Sequence, residues 1–448
     1  MKSIGIDIGT TTISIVIADA SDFTLVHKIT LPNDASLSSP NPWERLQDVS
    51  RILASVQSAL DEILSDYKDV SSIGLTGQMH GIVCLDESGN AVSPLYTWQD
   101  GRGNLPAFQD GKSLCAILSQ EYGIKASSGY GLVTHLYHVK KHLVPPGTVT
   151  CCTIADYLGM RLTNRTSPLL HVSQAAGLGL YDVKASCFRQ DILAQNGVEP
   201  AFLPHATDEF ALLGTFRGIP VSVSIGDNQA SFLGSVRHAC RDLLVNIGTG
   251  SQISVLSNAY AAGSGIEARP FTKDSCLLVG AALCGGSAYA LLERFFREYA
   301  VAAGGADVPQ YEIMKRLLEE SGQTNGLAVR TTFAGTRENP LETGSITGIR
   351  TDNLHPAGLI RGVLEGMADE LYSLYRIIEE RSGFRGTRLV VSGNGARKNT
   401  ALQAILQNRF GMPLEIVPYE EEAAFGAAIS SLAAIGRISV RQWLEGSR

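Results

Sequence analysis

The chain has 448 residues, 44% of them apolar and 18% charged, with a formal net charge of -7. That length exceeds the size at which one hydrophobic core keeps growing, so two domains are expected. The acidic balance gives no electrostatic reason to bind nucleic acid or an anionic membrane, and the small-apolar stretches Leu277 to Cys284 and Ala423 to Gly436 are too short or too rich in Gly and Ser to span a bilayer.

The first element is a strand that runs through Ile6-Asp7-Ile8 into Gly9-Thr10-Thr11-Thr12 and out again along Ile13 to Ile17. Gly5, Asp7 and Gly9 interrupt any apolar leader, so a cytoplasmic protein is expected. A turn-rich stretch from Leu31 to Pro42 follows, and Pro42 and Trp43 mark the start of a helix with apolar residues at Val49, Ile52, Leu53, Val56, Leu60, Ile63 and Leu64. Next comes the strand Leu75-Thr76-Gly77, opening on Gln78-Met79-His80-Gly81, then a polar, Gly-rich region carrying Trp98-Gln99-Asp100-Gly101-Arg102. The alternating strand Val221 to Ile225 closes the first half and leads into Gly226-Asp227-Asn228-Gln229.

The second half repeats the plan. Val245-Asn246-Ile247-Gly248-Thr249 matches the opening hairpin, Leu359 to Ile378 has the helical period, and Leu389-Val390-Val391 runs into Ser392-Gly393-Asn394-Gly395. Insertions of different length separate the matching pieces, so this is a duplicated α/β core and not a short-period solenoid. The boundary falls around Val236 to Arg241, giving domains 1–238 and 239–448. The eight cysteines show no Cys-x-x-Cys and form no cluster with the nine histidines, which suits reduced, buried thiols better than bridges or zinc ligands.

The chemistry concentrates in the turns. Gly and Thr at a hairpin tip offer open backbone N–H groups and hydroxyls, the partners that phosphate oxygens need. Asp7 sits in a strand headed for the core, where a bare carboxylate is costly. Mg²⁺ escorting ATP phosphates compensates it, whereas the alternative is an Asp bonded only to its own turn. Asp227, at a strand end and helix start, reads equally as an N-cap and as the base that orients an acceptor hydroxyl for phosphoryl transfer. Gln78, His80, Gln99, Asp100 and Arg102 beside the flat face of Trp98 form the kind of surface a polyhydroxylated sugar requires, although a tight turn at Asp100-Gly101 and a core imidazole at His80 explain the same letters.

These motifs together resemble the FGGY carbohydrate kinases over essentially the whole chain. The resemblance implies two actin-like (ribonuclease H-like) ATPase domains with a cleft between them. It also implies ATP and Mg²⁺ as cofactors and a small-molecule sugar as partner. Carried over, Asp7 is the metal-side carboxylate and Thr10, Thr11 and Thr12 are phosphate contacts. Gln78, Met79, His80 and Asn228 contact sugar, together with the Trp98, Gln99, Asp100 and Arg102 loop. Asp227 is the base, and Gly248, Thr249, Gly393, Asn394 and Gly395 are the nucleotide contacts of the second domain. Gln47 to Leu53, Thr97 to Arg102, Ser128-Gly129-Tyr130-Gly131 and Gly226-Asp227-x-Gln229 are similar to the sedoheptulose-phosphorylating branch of the family. Asn228 is instead what the xylulose-phosphorylating branch places after the catalytic Asp, so a five-carbon ketose stays open. A sensor on the same fold is the rival from another class, and retention of both Asp7 and Asp227 speaks against it. Monomer and homodimer are not distinguished.

Overall fold

A computed structural model describes residues 1–320, 327–339 and 341–446. The chain divides into two compact units: Met1–Gly234 with Arg269–Ser275 and Glu421–Arg448, and Ser235–Ala268 with Cys276–Glu420.

The first unit is built on a six-stranded mixed sheet. Its strands are β1 (Lys2–Ile8), β2 (Thr12–Asp19), β3 (Leu25–Pro32), β4 (Val70–Gly77), β5 (Leu212–Phe216) and β6 (Ile219–Gly226), in the order β5-β6-β4-β1-β2-β3. β1 runs antiparallel to β2 and parallel to β4. Alternation decides what each face does. Ile4, Ile6, Ile8, Ile13, Ile15 and Ile17 share one face and form a core with helix α1 (Val49–Asp66), which contributes Ile52, Val56 and Leu60. α1 starts later than Pro42 and Trp43 suggest, because the Asp48 carboxylate accepts from the N–H groups of Ser50 and Arg51 and sets the cap there. Helix α2 (Asp227–Ser235) follows β6 directly.

The second unit repeats the arrangement with β7 (Asp242–Ile247), β8 (Ser251–Ser257), β9 (Ile266–Thr272), β10 (Ser275–Ala282), β11 (Arg388–Ser392) and β12 (Leu414–Ile416), in the order β9-β10-β8-β7-β11-β12. β7 is antiparallel to β8 and parallel to β11, as β1 is to β2 and β4. The long helix α3 (Pro356–Ser382) packs Ile360, Leu364, Met367 and Leu371 on the core face of this sheet.

The division differs from a single cut near residue 238 in two places. The tip of the β9–β10 hairpin, Arg269–Ser275, belongs to the first unit, and so does the final stretch from Glu421. The second case has a clear cause. Helix α4 (Glu422–Ala434) lies against β1 and β4 so closely that a Cβ on Gly5 would sit 1.8 Å from the Ala424 carbonyl oxygen, and one on Gly74 would sit 1.7 Å from that of Ala427. Ser3, Ser72 and Ser431 close the contact with mutual hydroxyl hydrogen bonds of 2.8–2.9 Å. Among the described residues no helix is long and apolar enough to cross a membrane.

Candidate active site

Asp7 shares its strand face with Ser3 and Gly5, the face covered by α4. Ser431 meets Ser3 and Ala424 meets Gly5, so α4 runs antiparallel to β1 and its N-terminus approaches the Asp7 end. Strand register agrees. Asp7 lies opposite Ser14, Ser14 opposite Thr30, and the Thr30 hydroxyl donates to Glu421 at 2.9 Å. On the other side Asp7 faces Thr76, which faces Ile225, two residues before Asp227. Burial, reinforced by the nearby charges of Asp227 and Glu421, pushes the Asp7 carboxyl up to about 7. Asp227 is also raised by burial, against the opposing pull of Arg269 and an N–H from Asn228. Neither Glu421 nor Arg269 stands out in the sequence, because each lies far along the chain from both aspartates.

The donor set here is all oxygen, as a hard divalent cation requires. No group of three or more His, Cys, Asp or Glu among the described residues is close enough to form a metal cage. One or two carboxylates completed by phosphate oxygens and water is the arrangement that suits Mg²⁺, so the residues fit a metal that arrives with a nucleotide.

Gln78 and Thr10 lie beside Asp7 and are tied together. The Gln47 amide donates to the Thr10 carbonyl at 2.8 Å, Gln78 Nε2 donates to Gln47 Oε1 at 2.8 Å, and the half-exposed Trp98 donates from its indole to the Thr10 hydroxyl at 2.9 Å. The Thr10 hydroxyl is therefore engaged by protein, while Thr11 and Thr12 stand exposed at the tip. Met79 is buried against the end of β6, where a Cβ on Gly226 would meet its sulfur at 2.7 Å. The Gly226 N–H is held by the Ser173 hydroxyl at 2.9 Å, which anchors the backbone just before Asp227. His80 has φ 77°, an uncommon conformation for a non-glycine residue. It stacks on Tyr130 at 4.7 Å and donates from Nδ1 to the Gly177 carbonyl at 2.7 Å. Gln99 is exposed, and Asn228 keeps a buried Oδ1 without a hydrogen-bond partner.

Asp100 and Arg102 differ from the sugar-facing role. They are 1% and 3% exposed and bond each other through Arg102 Nε at 2.7 Å and Nη2 at 2.9 Å. The guanidinium also lies 4.5 Å from the Tyr96 ring centroid and reaches His138. A buried charge pair with its donors and acceptors used internally holds the loop that carries Trp98 and has little left for a ligand.

The second unit builds a separate concavity of about 640 Å³, lined by Tyr289, Tyr311, Lys315, Met367, Asn394 and Gly395 among others. Tyr289 and Tyr311 stack at 5.8 Å. Gly393 has φ 84°, and a Cβ on it would meet the Ile247 carbonyl at 2.5 Å, so the glycine turn lies directly against the end of β7 beside the exposed Gly248 and Thr249. The structure thus groups Asp7, Thr10, Gln78, Met79, Asn228 and Asp227 in the first unit, and Gly248, Thr249, Gly393, Asn394 and Gly395 in the second. The two tyrosines and Lys315 are visible in the sequence only as parts of ordinary helices.

Solved structures give the class of this fold. A xyloylose kinase from Brucella ovis matches with a TM-score of 0.84 at 21% identity over 100% of this chain and 93% of that one. A glycerol kinase from Plasmodium falciparum solved with ADP matches with a TM-score of 0.81 at 18% identity, covering 100% and 93%. Both show the two-domain α/β sugar-kinase fold. The sequence models of the FGGY family of carbohydrate kinases match residues 3–234 for its N-terminal domain and 243–435 for its C-terminal domain, so the chain belongs to that family and is a sugar phosphotransferase. A curated relative, sedoheptulokinase of Mus musculus, is 25% identical over 96% of this chain and 97% of its own length.

Proposed function

We propose that the protein is an ATP-dependent ketose kinase that phosphorylates a terminal primary hydroxyl, with sedoheptulose as the substrate and sedoheptulose 7-phosphate as the product. The observation that carries the reaction is the pair of electrostatically coupled carboxylates Asp7 and Asp227, one at the end of the central strand β1 and one at the start of the helix that follows β6, two strands away in the sheet. The near full-length likeness to a sedoheptulokinase supports the substrate.

Asp227, with its carboxyl raised by burial, accepts the proton of the sugar hydroxyl. The hydroxyl oxygen bonds to the γ-phosphorus while the β,γ-bridging bond breaks and leaves ADP. Gln78 and the Trp98 face hold the sugar, with Asn228 Oδ1 accepting from one of its hydroxyls. The Gly248-Thr249 tip and the Gly393-Asn394-Gly395 turn hold phosphates and ribose, and the Tyr289–Lys315 cavity takes the base. Asp7 would hold Mg²⁺, which when bound would neutralise phosphate charge.

Asn228 favours a second reading, D-xylulose, because its side chain matches the five-carbon branch of the family. The test is ATP consumption with Mg²⁺ across sedoheptulose, D-xylulose, ribulose, glycerol and no sugar. The highest kcat/KM on sedoheptulose upholds the proposal, and a preference for any other acceptor replaces it.

A further inference from the structure

The hydrogen bonds beside Asp7 form a closed circuit whose polarity is fixed. The Thr10 carbonyl can only accept, so Gln47 must turn its Nε2 toward it at 2.8 Å. Gln47 Oε1 is then left for Gln78, which must donate from its own Nε2, also at 2.8 Å. Gln78 Oε1 accepts from the Thr10 hydroxyl at 3.5 Å, and that hydroxyl receives the Trp98 indole N–H at 2.9 Å, a group that can only donate. The Thr10 carbonyl, which can only accept, therefore orients both amides in turn. One Gln78 amide hydrogen stays uncommitted among the hydrogen bonds of the described residues.

Gln47 is well placed to enforce this. It is 2% exposed and lies in the short strand Leu46–Gln47, which pairs with Ser36–Leu37 on one side and Leu95–Tyr96 on the other. The next residue, Asp48, caps α1. A side chain rooted between two strands and a helix cap has little freedom to follow a turning partner.

We propose that Gln47 is a positioning residue for sugar recognition: it locks Gln78 so that an amide N–H faces the substrate, selecting a sugar oxygen that accepts a hydrogen bond there. This rests on the reading of Gln78 as a sugar contact. A Gln47 that served only to brace the hairpin would need its bond to Thr10 and no second bond to Gln78.

The test is steady-state kinetics of wild type, Gln47→Leu, Gln47→Glu, Gln78→Leu and the Gln47→Leu/Gln78→Leu double variant, with sugar and ATP varied separately. Gln47→Leu should raise the sugar KM about tenfold, with a smaller change in the KM for ATP. In the Gln78→Leu background the same change should add less than about twofold, since its effect runs through Gln78. Gln47→Glu supplies a variant close to the native shape. In either protonation state it keeps an oxygen that accepts from Gln78 Nε2, while its anion gives up the donor to the Thr10 carbonyl, so it weakens the brace and spares the lock, and its sugar KM should stay nearer wild type than that of Gln47→Leu. Additive effects in the double variant, equal losses in both KM values and kcat, or a Gln47→Glu sugar KM as high as that of Gln47→Leu overturn the proposal. Wild type without sugar-dependent turnover overturns the sugar reading itself, and the proposal with it.

Discussion

The two hairpins of this protein share topology and strand pairing but differ in the charge of one strand residue. Asp7 in β1 corresponds to Asn246 in β7, each two residues before a Gly-Thr tip. Asn246 is neutral and satisfied, donating to its lateral neighbour Ser392 at 2.8 Å. Asp7 is a carboxylate forced upward by burial and by two other acids. A duplicated fold has thus kept the electrostatic stress in one copy and removed it from the other. Stress of this kind is typical of a site that waits for a cation or a developing charge.

The largest expected effect lies at the end of β6, two strands from β1 in the same sheet. Asp227→Asn should lower kcat roughly 10³-fold, the scale of a lost general base, while sugar affinity measured by calorimetry changes little. Retained turnover would remove Asp227 from the mechanism.

Asp7→Asn makes the first hairpin like the second. Turnover should drop about 10²-fold, and the ligand-free protein should melt higher than wild type at pH 8. The direction follows from linkage. With the folded carboxyl at about 7 against an ordinary value of 3.8, both folded and unfolded chains hold the proton below 3.8. As pH rises from 3.8 to about 7 the unfolded chain ionises while the folded one resists, so wild type loses stability across that window and the loss levels off above it. The advantage of the variant should therefore shrink as pH approaches 4, and a pH-independent difference in melting temperature would contradict this account.

A second contrast concerns how each sheet is covered. Gly5 admits α4 to backbone contact, whereas the matching residue of β7 is Leu244. Gly5→Ala should cost about 2 kcal/mol in chemical denaturation, because a methyl cannot fit 1.8 Å from a carbonyl oxygen without moving the helix. The smallest effect is the converse of Asp7→Asn. Asn246→Asp should destabilise by about 1 kcal/mol through loss of the donor to Ser392 and should weaken ATP binding through like charge. Equal or tighter ATP binding would show that the second tip does not face phosphate.

Much of this was legible in the residues. Hairpin, long helix and strand into a glycine turn recur in both halves because period-2 and period-3.6 apolar spacing leave few other readings. The resemblance to a known family rests on turns where backbone geometry demands Gly and where chemistry demands Asp. Other features were not legible. Pro42 and Trp43 suggest a helix start that the Asp48 cap moves to Val49. Asp100 and Arg102 read as ligand groups by type, but their side chains pair in the interior. Residue type reports what a group can bond, and only its neighbours determine what is left to bond.

Local periodicity and turn chemistry encode the duplicated α/β plan and its two Gly-Thr tips, along with the carboxylates at two strand ends. The tertiary structure alone decided that Glu421 and Arg269 join those carboxylates, that α4 covers the first sheet, and that Gln47 orients Gln78. Those relations depend on packing between segments tens to hundreds of residues apart, where no local pattern in the chain carries the information.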